Sequence, residues 1–336
     1  MNNTSLQIGK VCGNDPILTP HKWKEVLASF PEHKLYHLPE WFNFVEHTQK
    51  IEKLVYIISH GDEIVGYLPG FIIRKGPVKI FASPFEGWYT PYMGLLVNDN
   101  VNKASLLQIV RDKLNEDGFH FAQFTPPPNT TEETIRQNGY KIQKQVTYIA
   151  DIEENPEAVL MNFRKSTRYN VRRAMRDGLQ VRFTEDKSFI DVFYDQLCQV
   201  FAKSNMRPTY SKEKVCALWD NLMPTGMLKA TEVVYENRTI ATRLEVFYRD
   251  WMYAHGSASD QNYLRLRPNE LARYHVMSYG SKIGVKHYDM MGGGAYKSQF
   301  GGEKTDNIVA IYDPYGLLGL KKMAKHIAKM KFKFFR

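Results

Sequence analysis

The chain has 336 residues, of which 43% are hydrophobic and 13% are aromatic, and this content suffices for two folded domains of ordinary size. The composition excludes a disordered chain, and no stretch approaches the ~20 consecutive apolar residues that span a bilayer. The formal net charge of +9 favours anionic partners such as phosphates, tRNA or acidic lipid headgroups, without choosing among them.

The first residues and the cysteines bear on the compartment. The N-terminal segment has no basic stretch followed by an apolar core, so no secretory signal is predicted. Cys12, Cys198 and Cys216 have neither the spacing of metal ligands nor that of a redox motif, and we expect reduced thiols. A cytoplasmic protein is therefore the expectation.

The first half of the sequence begins with two helices that each follow a proline, and continues with strands rich in β-branched and aromatic residues. A helix then ends at Gly118, as a helix stop should. In chain order we predict helices at 21–30 and 40–49, strands at 53–59, 64–75 and 78–83, a helix at 102–118, a strand at 119–125, a helix at 132–139 and a strand at 140–151.

The second half repeats this plan after a linker near Asp151–Pro156. In chain order we predict helices at 154–163 and 164–178, a strand at 179–185, helices at 187–204 and 211–223, strands at 228–236, 239–248 and 251–258, a helix led by Pro268 and a strand at 285–291. In the Pro268 helix, Ala272, Val276, Tyr279 and Ile283 form one apolar stripe.

The stretches 55–71 and 230–247 share a strand, a short turn and a second strand, which suggests an internal duplication. We therefore predict an α/β fold of the α+β type with two domains, at 1–150 and 151–316. Each is a mixed, mostly antiparallel sheet flanked by helices. A C-terminal helix at 317–336 is a candidate for packing on the first domain.

The segment from Trp251 to Glu303 organises the functional prediction. It reads strand, polar loop, Pro-led helix, strand, and then a glycine-rich turn that presents Lys297. A fold that holds a ligand where two strands diverge requires this order. The first half offers PFEGWYTPYMG at 84–94, which lacks a triple-glycine turn followed by a lysine, so the chemistry is predicted in or beside the second domain.

The stretches 163–181, 251–294 and 296–303 together resemble the second half of the Fem-type aminoacyl transferases, within the wider group of tandem GNAT-like acyltransferases. The order of the pieces carries the resemblance: a basic helix, a meander, R-x-x-P-N from Arg265 to Asn269, then aromatic-Lys-x-x-Phe-Gly. The resemblance implies two GNAT-like domains and transfer of an acyl or aminoacyl group onto an amine, with no tightly bound cofactor.

In Fem-type proteins the donor is aminoacyl-tRNA and the acceptor is a peptidoglycan precursor, whereas related tandem GNAT proteins use acyl thioesters such as acyl-CoA and amino-sugar acceptors. The long helical arm of many Fem proteins is absent here. The Q/R-x-x-G-x-G/A pyrophosphate loop of ordinary CoA-dependent GNATs is also absent before Pro268, which puts standard CoA binding in doubt.

Lys297 is the predicted catalytic residue. Attack of an amine on an ester or thioester builds negative charge on the carbonyl oxygen, and a positioned cation stabilises it. The resemblance places Tyr296 and Lys297 at the acceptor end of tRNA, where Tyr296 would stack on adenine. The predicted donor-binding residues are Tyr296, Gly292, Gly293, Gly294 and Phe300. The alternative is that Lys297 is a solvated lysine of a turn.

Further residues are predicted to bind the acceptor or to take part in catalysis. The predicted acceptor-binding residues are Arg168, Arg172, Arg207, Tyr210 and Tyr253; a solvated basic helix face is the alternative for the first two. His255 is a candidate general base or a structural histidine. Asp289 orients the attacking amine, pairs with Lys297 or caps the turn. Glu245 is a base or pairs with a basic neighbour on an adjacent strand.

No Ser-His-Asp order, metal-ligand cluster or Walker loop is present, so direct transfer without a metal is the predicted mechanism. The C-terminal tail is basic and amphipathic, and binds either the inner membrane surface or the first domain. The sequence thus predicts an acyltransferase of cell-wall biogenesis that acts on an amine of an envelope precursor. The alternatives are an acyl-CoA-dependent N-acyltransferase of amino sugars and a non-catalytic RNA- or membrane-binding protein; DNA is not an expected partner.

Overall fold

The computed structural model describes residues 6–13, 15–84 and 90–319. The chain divides into two compact units, 1–144 with 307–336 and 145–306. The predicted domains, 1–150 and 151–316, differ from these units because the chain crosses within strands and not in the predicted linker. The predicted C-terminal helix lies, from residue 320 onward, outside the described residues. Within the described ranges no helix is long and apolar enough to cross a membrane.

The first unit follows the predicted alternation of helices and strands, with two additional strands, β1 and β5. Its elements are β1 (Leu6–Cys12), α1 (Pro20–Ala28), α2 (Pro39–Gln49), β2 (Glu52–His60), β3 (Glu63–Lys75), β4 (Val78–Ser83), β5 (Leu96–Val97), α3 (Lys103–Glu116), β6 (Phe121–Phe124) and α4 (Glu132–Gln137). Helix α3 begins where the Asn102 side chain accepts a hydrogen bond from Ser105 N, as N-caps do. It ends at Glu116, and Gly118, two residues later, has the positive φ that suits a glycine after a helix.

The second unit contains the segment that carries the predicted chemistry. The elements that follow in chain order are β7 (Lys141–Asp151), α5 (Pro156–Asn162), α6 (Lys165–Arg176), β8 (Gln180–Thr184), α7 (Phe189–Ala202), α8 (Lys212–Leu222), β9 (Leu228–Tyr235), β10 (Arg238–Tyr248), β11 (Trp251–Ser259), α9 (Pro268–Lys282), β12 (His287–Asp289) and β13 (Glu303–Tyr312). Strand β7 enters this unit and β13 leaves it.

The two units share one strand plan. In the second unit the strand order is β8-β9-β10-β11-β12-β7, with β11 and β12 parallel and the other pairs antiparallel. In the first unit the order is β1-β2-β3-β4-β6-β13, with β4 and β6 parallel and the others antiparallel. The common order and the position of the one parallel pair support the internal duplication inferred from 55–71 and 230–247.

Helix α9 lies against the sheet of the second unit, and its burial follows helical spacing. Ala272 and Val276 are fully buried, as the apolar stripe predicts, and Tyr279 is partly buried. Ile283 is half exposed because it caps the helix and no longer faces the sheet; its predicted place in the stripe is wrong. An arginine, Arg273, takes a buried position on this helix.

Candidate functional site

The site begins where β11 and β12 diverge. These strands pair in parallel only from Trp251 with His287 to Tyr253 with Asp289, after which β12 ends and β11 continues to Ser259. The divergence predicted from the order of elements is therefore present in the second unit. The glycine-rich turn starts directly after Asp289, at the mouth of this divergence.

Asp289 fixes the start of the turn. Its carboxylate is fully buried, and Oδ1 accepts hydrogen bonds from the Thr147 hydroxyl and, at 2.8 Å, from the backbone N–H of Met291. This is the arrangement of a side chain that caps a turn. Of the three predicted roles of Asp289, which are to orient the amine, to pair with Lys297 and to cap the turn, these hydrogen bonds correspond to the last.

The structure explains why two positions of this turn are occupied by glycine. Gly292 has a φ of 76°, a left-handed value that glycine adopts without strain. A Cβ at Gly294 would lie 2.7 Å from Cε1 of Tyr296, so a side chain there would displace the tyrosine ring. The turn therefore shapes the backbone around Lys297 and positions Tyr296.

Lys297 is buried, in contrast to the solvated turn lysine that was its alternative interpretation. It lies in the short helix Ala295–Phe300 with 6% of its surface exposed, and its ammonium donates hydrogen bonds to the carbonyls of Met291 and Gly292, the latter at 2.8 Å. Burial lowers the pKa of Lys297 to about 8, with a further lowering by Arg273 that Asp289 opposes. An aimed, desolvated ammonium of this kind suits stabilisation of an oxyanion.

Tyr296 and Phe300 flank Lys297 in different ways. Tyr296 is 58% exposed, and its ring centroid lies 5.9 Å from the Lys297 ammonium. Phe300 is buried and packs edge-on against Phe163 at 5.2 Å. Tyr296 is therefore available for stacking on a flat ligand group, whereas Phe300 anchors the segment to the core.

The basic helix α6 begins beside the Lys297 segment. Arg164 donates from Nη2 to the hydroxyl of Ser298 at 3.0 Å, and its backbone N–H donates to the carbonyl of Gln299 at 2.9 Å. Thr167 lies within 3.3 Å of the Gln299 side-chain oxygen. The positive charge predicted on this helix is thus adjacent to the predicted catalytic lysine.

The acceptor-side arginines of α6 have local partners. Arg168 donates from Nη1 to the carbonyls of Met161 and Phe163, at 2.9 and 2.7 Å, and so caps the end of α5. Arg172 lies 3.6 Å from Glu157, and both side chains are more than half exposed. Arg168 therefore has a structural contact that its sequence pattern did not indicate, while Arg172 lies on the solvent side.

Tyr253 and His255 of β11 are both buried. Burial, with a smaller contribution from the charge of Lys214, lowers the pKa of His255 to about 3. An imidazole of such low pKa accepts a proton poorly at neutral pH, because a general base works best with a pKa near the operating pH. The mechanism proposed below therefore does not use His255.

Arg207 and Tyr210 lie in the connection between α7 and α8. Arg207 is exposed, and burial raises the pKa of Tyr210 to about 12. The Tyr210 hydroxyl lies 3.5 Å from where a Cβ of Gly256 would be, next to the Phe193 ring. Helix α7 packs on β10 and β11. Tyr210 thus lies beside β11 next to His255, whereas Arg207 is at the surface of the connection.

The structure adds a buried cluster that the sequence analysis did not identify. Arg243 and Glu245 of β10 form an ion pair with Nε to Oε1 at 2.7 Å, and Arg243 also donates to the Tyr288 hydroxyl at 2.9 Å. The basic neighbour of Glu245 is therefore on its own strand. Arg273 lies over the Tyr288 ring at 5.6 Å and the Phe300 ring at 4.7 Å. The sequence did contain one signal of this cluster, since Arg243 and Glu245 are charged residues within the otherwise largely apolar strand β10.

Comparison with known proteins shows which kind of enzyme domain the second unit matches. Residues 161–298 match the family model described as an acetyltransferase (GNAT) domain. This domain makes the chain an acyltransferase. The match covers α6, the sheet strands β8–β12, helix α9 and Lys297. No curated protein matches the sequence significantly.

Solved structures share the fold over nearly the whole chain. FemX is 15% identical, with a TM-score of 0.72 over 92% of this chain and 99% of that chain. A tandem GNAT protein from the clavulanic acid biosynthesis pathway is 10% identical, with a TM-score of 0.56 over 92% and 98%. L-PGS from Bacillus licheniformis is 11% identical, with a TM-score of 0.56 over 92% and 96%. The predicted Fem-like, tandem GNAT fold is confirmed.

Proposed function

We propose that this GNAT acyltransferase transfers an aminoacyl group from aminoacyl-tRNA to an amine of a peptidoglycan precursor. The observation that carries the proposal is Lys297: a buried ammonium held by the Met291 and Gly292 carbonyls beside the exposed ring of Tyr296. The Fem-type resemblance supplies the donor and the acceptor class. FemX shares the fold along the chain, which agrees with this choice.

The proposed reaction is direct transfer. The nitrogen of the neutral acceptor amine attacks the ester carbonyl carbon, a C–N bond forms, and the carbonyl oxygen becomes an oxyanion. The Lys297 ammonium stabilises this charge. One hydrogen-bond donor to an oxyanion typically lowers the activation free energy by about 3–4 kcal/mol. The C–O bond to the tRNA ribose then breaks, the ribose hydroxyl takes up a proton, and the attacking nitrogen loses one. No covalent enzyme intermediate is required.

Two features of the second unit favour a tRNA donor over CoA. The basic start of α6 contacts the Lys297 segment through Arg164 and Ser298, so a nucleic-acid backbone would meet positive charge beside the site. The connection from β11 to α9 holds Asp260, whose carboxylate accepts from the Asn262 N–H at 3.0 Å and from Arg238 at 2.7 Å. In CoA-dependent GNATs the connection before this helix is a glycine-rich loop whose free N–H groups bind the pyrophosphate. The negative charge of Asp260 in the same connection would repel a pyrophosphate.

The test pairs each donor with each acceptor. The protein is incubated with charged tRNA or with acyl-CoA, and with a nucleotide-linked peptidoglycan precursor or an amino sugar, and the product is detected by its mass. We expect the aminoacyl mass increment on the precursor only with charged tRNA. Acylation of the amino sugar from acyl-CoA would replace the proposal with the thioester alternative. Salt-sensitive tRNA binding without any product would indicate a non-catalytic protein.

Tyr296 provides the first prediction. If its exposed ring stacks on the terminal adenine of the donor, Tyr296→Ala should raise KM for charged tRNA by about 10- to 100-fold, because base stacking contributes about 1–3 kcal/mol. Tyr296→Phe should remain close to wild type. Tyr315 of the first unit is equally exposed, at 62%, and Tyr315→Ala is the matched control. Equal KM values in the Ala and Phe variants would contradict the stacking role.

The pH dependence of transfer provides the second prediction. Because the folded-state pKa of Lys297 is about 8, the ammonium is lost as pH rises through that value, and kcat should fall on the alkaline side. Stability should change with pH in the opposite direction to kcat. The pKa of Lys297 in the folded protein lies below the ~10.4 of an unfolded lysine, so between about pH 8 and ~10 the unfolded chain binds more protons. The contribution of Lys297 to the free energy of unfolding therefore rises over this range. A kcat that still rises beyond about pH 9 would contradict the assignment.

A further inference from the structure

Arg273 is a buried cation without an anionic partner. It is 4% exposed, and among the described residues no carboxylate pairs with it and no acceptor receives a hydrogen bond from its buried Nη1. Its guanidinium is held between the rings of Tyr288 and Phe300. Buried arginines are normally paired, because leaving such a group unsatisfied costs several kcal/mol.

The acidic groups around Arg273 in the described part of the chain do not pair with it. Glu245 accepts through Oε1 from Arg243 and, at 3.2 Å, from the Tyr288 hydroxyl, and its Oε2 is buried without a hydrogen bond from a described residue. Asp289 caps the glycine turn through Met291. Three buried cations (Arg243, Arg273 and Lys297) therefore share two buried carboxylates, and the cluster carries one net positive charge.

The position of Arg273 connects this charge to the site. Phe300, which packs under its guanidinium, belongs to the same short helix as Lys297, and the charge of Arg273 contributes to the lowered pKa of that lysine. Gly292, Gly293 and Tyr296 of the adjoining turn are exposed, so the segment that carries Lys297 borders the solvent.

We propose that Arg273 provides, in the cluster next to Lys297, a binding site for a single anionic group, a phosphate or a carboxylate, of one of the substrates. The anion supplies the negative charge that the cluster lacks and accepts from Arg273 Nη1. Without a ligand, the unpaired charge of Arg273 destabilises the folded protein. Local features of this kind, which oppose stability, are expected at functional sites. The site does not depend on which acyl donor the enzyme uses.

The stability of an Arg273→Met variant tests the first half of this proposal. Methionine has a flexible apolar side chain that packs well against aromatic rings, so the two rings keep a neighbour while the charge is removed. Removal of an unpaired buried charge should leave Tm unchanged or higher in chloride buffer. If Arg273 instead serves the fold by neutralising Glu245, the variant should have a clearly lower Tm, and that result would overturn the proposal.

Anion binding tests the second half. Inorganic phosphate and acetate are titrated separately, at constant ionic strength, while Tm is followed for wild type, Arg273→Met and Arg173→Met. Arg173 pairs with Asp177 at 3.3 Å, and its replacement removes the same charge from a partly exposed position. We expect a saturable rise in Tm for wild type and Arg173→Met, and an affinity at least about tenfold weaker for Arg273→Met.

The response to the two probes also distinguishes the source of the anion. A response to phosphate alone supports the site and assigns it to a nucleotide or sugar phosphate, whereas a response to acetate alone supports it and assigns it to a carboxylate. A response to both supports a general oxyanion site. No saturable response in wild type, or an equal response in Arg273→Met, would overturn the proposal even if transfer activity is found.

Discussion

Replacing Lys297 with methionine is expected to lower kcat for transfer by about 10²–10³-fold, because it removes the cation that faces the developing oxyanion. Methionine has a similar length and no charge, and the lysine is buried, so the fold should be retained. The loss should appear in kcat with little change in KM for the donor, since the interaction is made in the transition state. Single-turnover kinetics with a mass-based product assay measures it.

A neighbouring lysine provides the control for this experiment. Lys304 lies exposed at the start of β13, seven residues from Lys297 in the chain, and Lys304→Met removes the same charge at no cost to the site. It should leave turnover unchanged, and circular dichroism should show both variants folded. Turnover of Lys297→Met close to that of wild type would remove Lys297 from the catalytic role and leave the proposed reaction without its central group.

The site could be predicted from sequence wherever local chemistry determines it. Three consecutive glycines before Tyr296 and Lys297 indicate an unusual backbone, and Gly292 does adopt a left-handed φ. The strand preceding them and the long strand from Trp251 indicate the divergence, because the parallel pair needs an intervening helix. These features lie within one continuous segment, so no knowledge of distant contacts was required.

The charges inside the sheet could not be predicted in the same way. The alternation of side chains along β10 shows that Arg243 and Glu245 share a face, but not that the face is covered by α9. Arg168 looks like a phosphate ligand because its neighbours are basic, yet its guanidinium caps α5. Which of several arginines is buried depends on helix packing that no local pattern specifies.

Strands β1 and β13 were missed for a related reason. The apolar residues of β13 are confined to its second half, where Ala310, Ile311 and Tyr312 pair with β6, far away in the chain. Strand β1 has only a partly buried face, and its pairing with β2 fixes it. Strand propensity depends on the neighbouring strand. An edge strand, or a strand whose partner is distant in the sequence, therefore gives a weak sequence signal.

The asymmetry between the two units explains why a duplicated fold has one predicted centre. In the shared strand plan, β6 corresponds to β12, and the segment after β6 reads Thr125-Pro126-Pro127-Pro128. Prolines fix φ and carry no backbone N–H, so this segment cannot form the turn that follows Asp289. The first unit also has no lysine at the corresponding place. The two units share a strand plan, and the residues predicted to carry out transfer lie in the second.

Replacing Arg243 with methionine should destabilise the protein by about 3–5 kcal/mol, because it removes the ion-pair partner of the fully buried Glu245 carboxylate. The Tyr288 hydroxyl, 3.2 Å from Oε1, is the contact that remains among the described residues of the cluster. Chemical denaturation followed by far-UV circular dichroism gives the free energy of unfolding. A lower denaturant concentration at the unfolding midpoint, with an unchanged m-value, identifies a loss of stability.

Two companion variants separate burial from charge in this prediction. The exposed pair of Lys187 and Asp220, at 2.6 Å, has both side chains more than half exposed, and Lys187→Met should cost less than about 1 kcal/mol. The double variant Arg243→Met with Glu245→Gln should recover most of the lost stability, because glutamine keeps the hydrogen bond to Tyr288 without a charge. A double variant as unstable as Arg243→Met alone would show that packing around the arginine, and not its charge, stabilises the cluster.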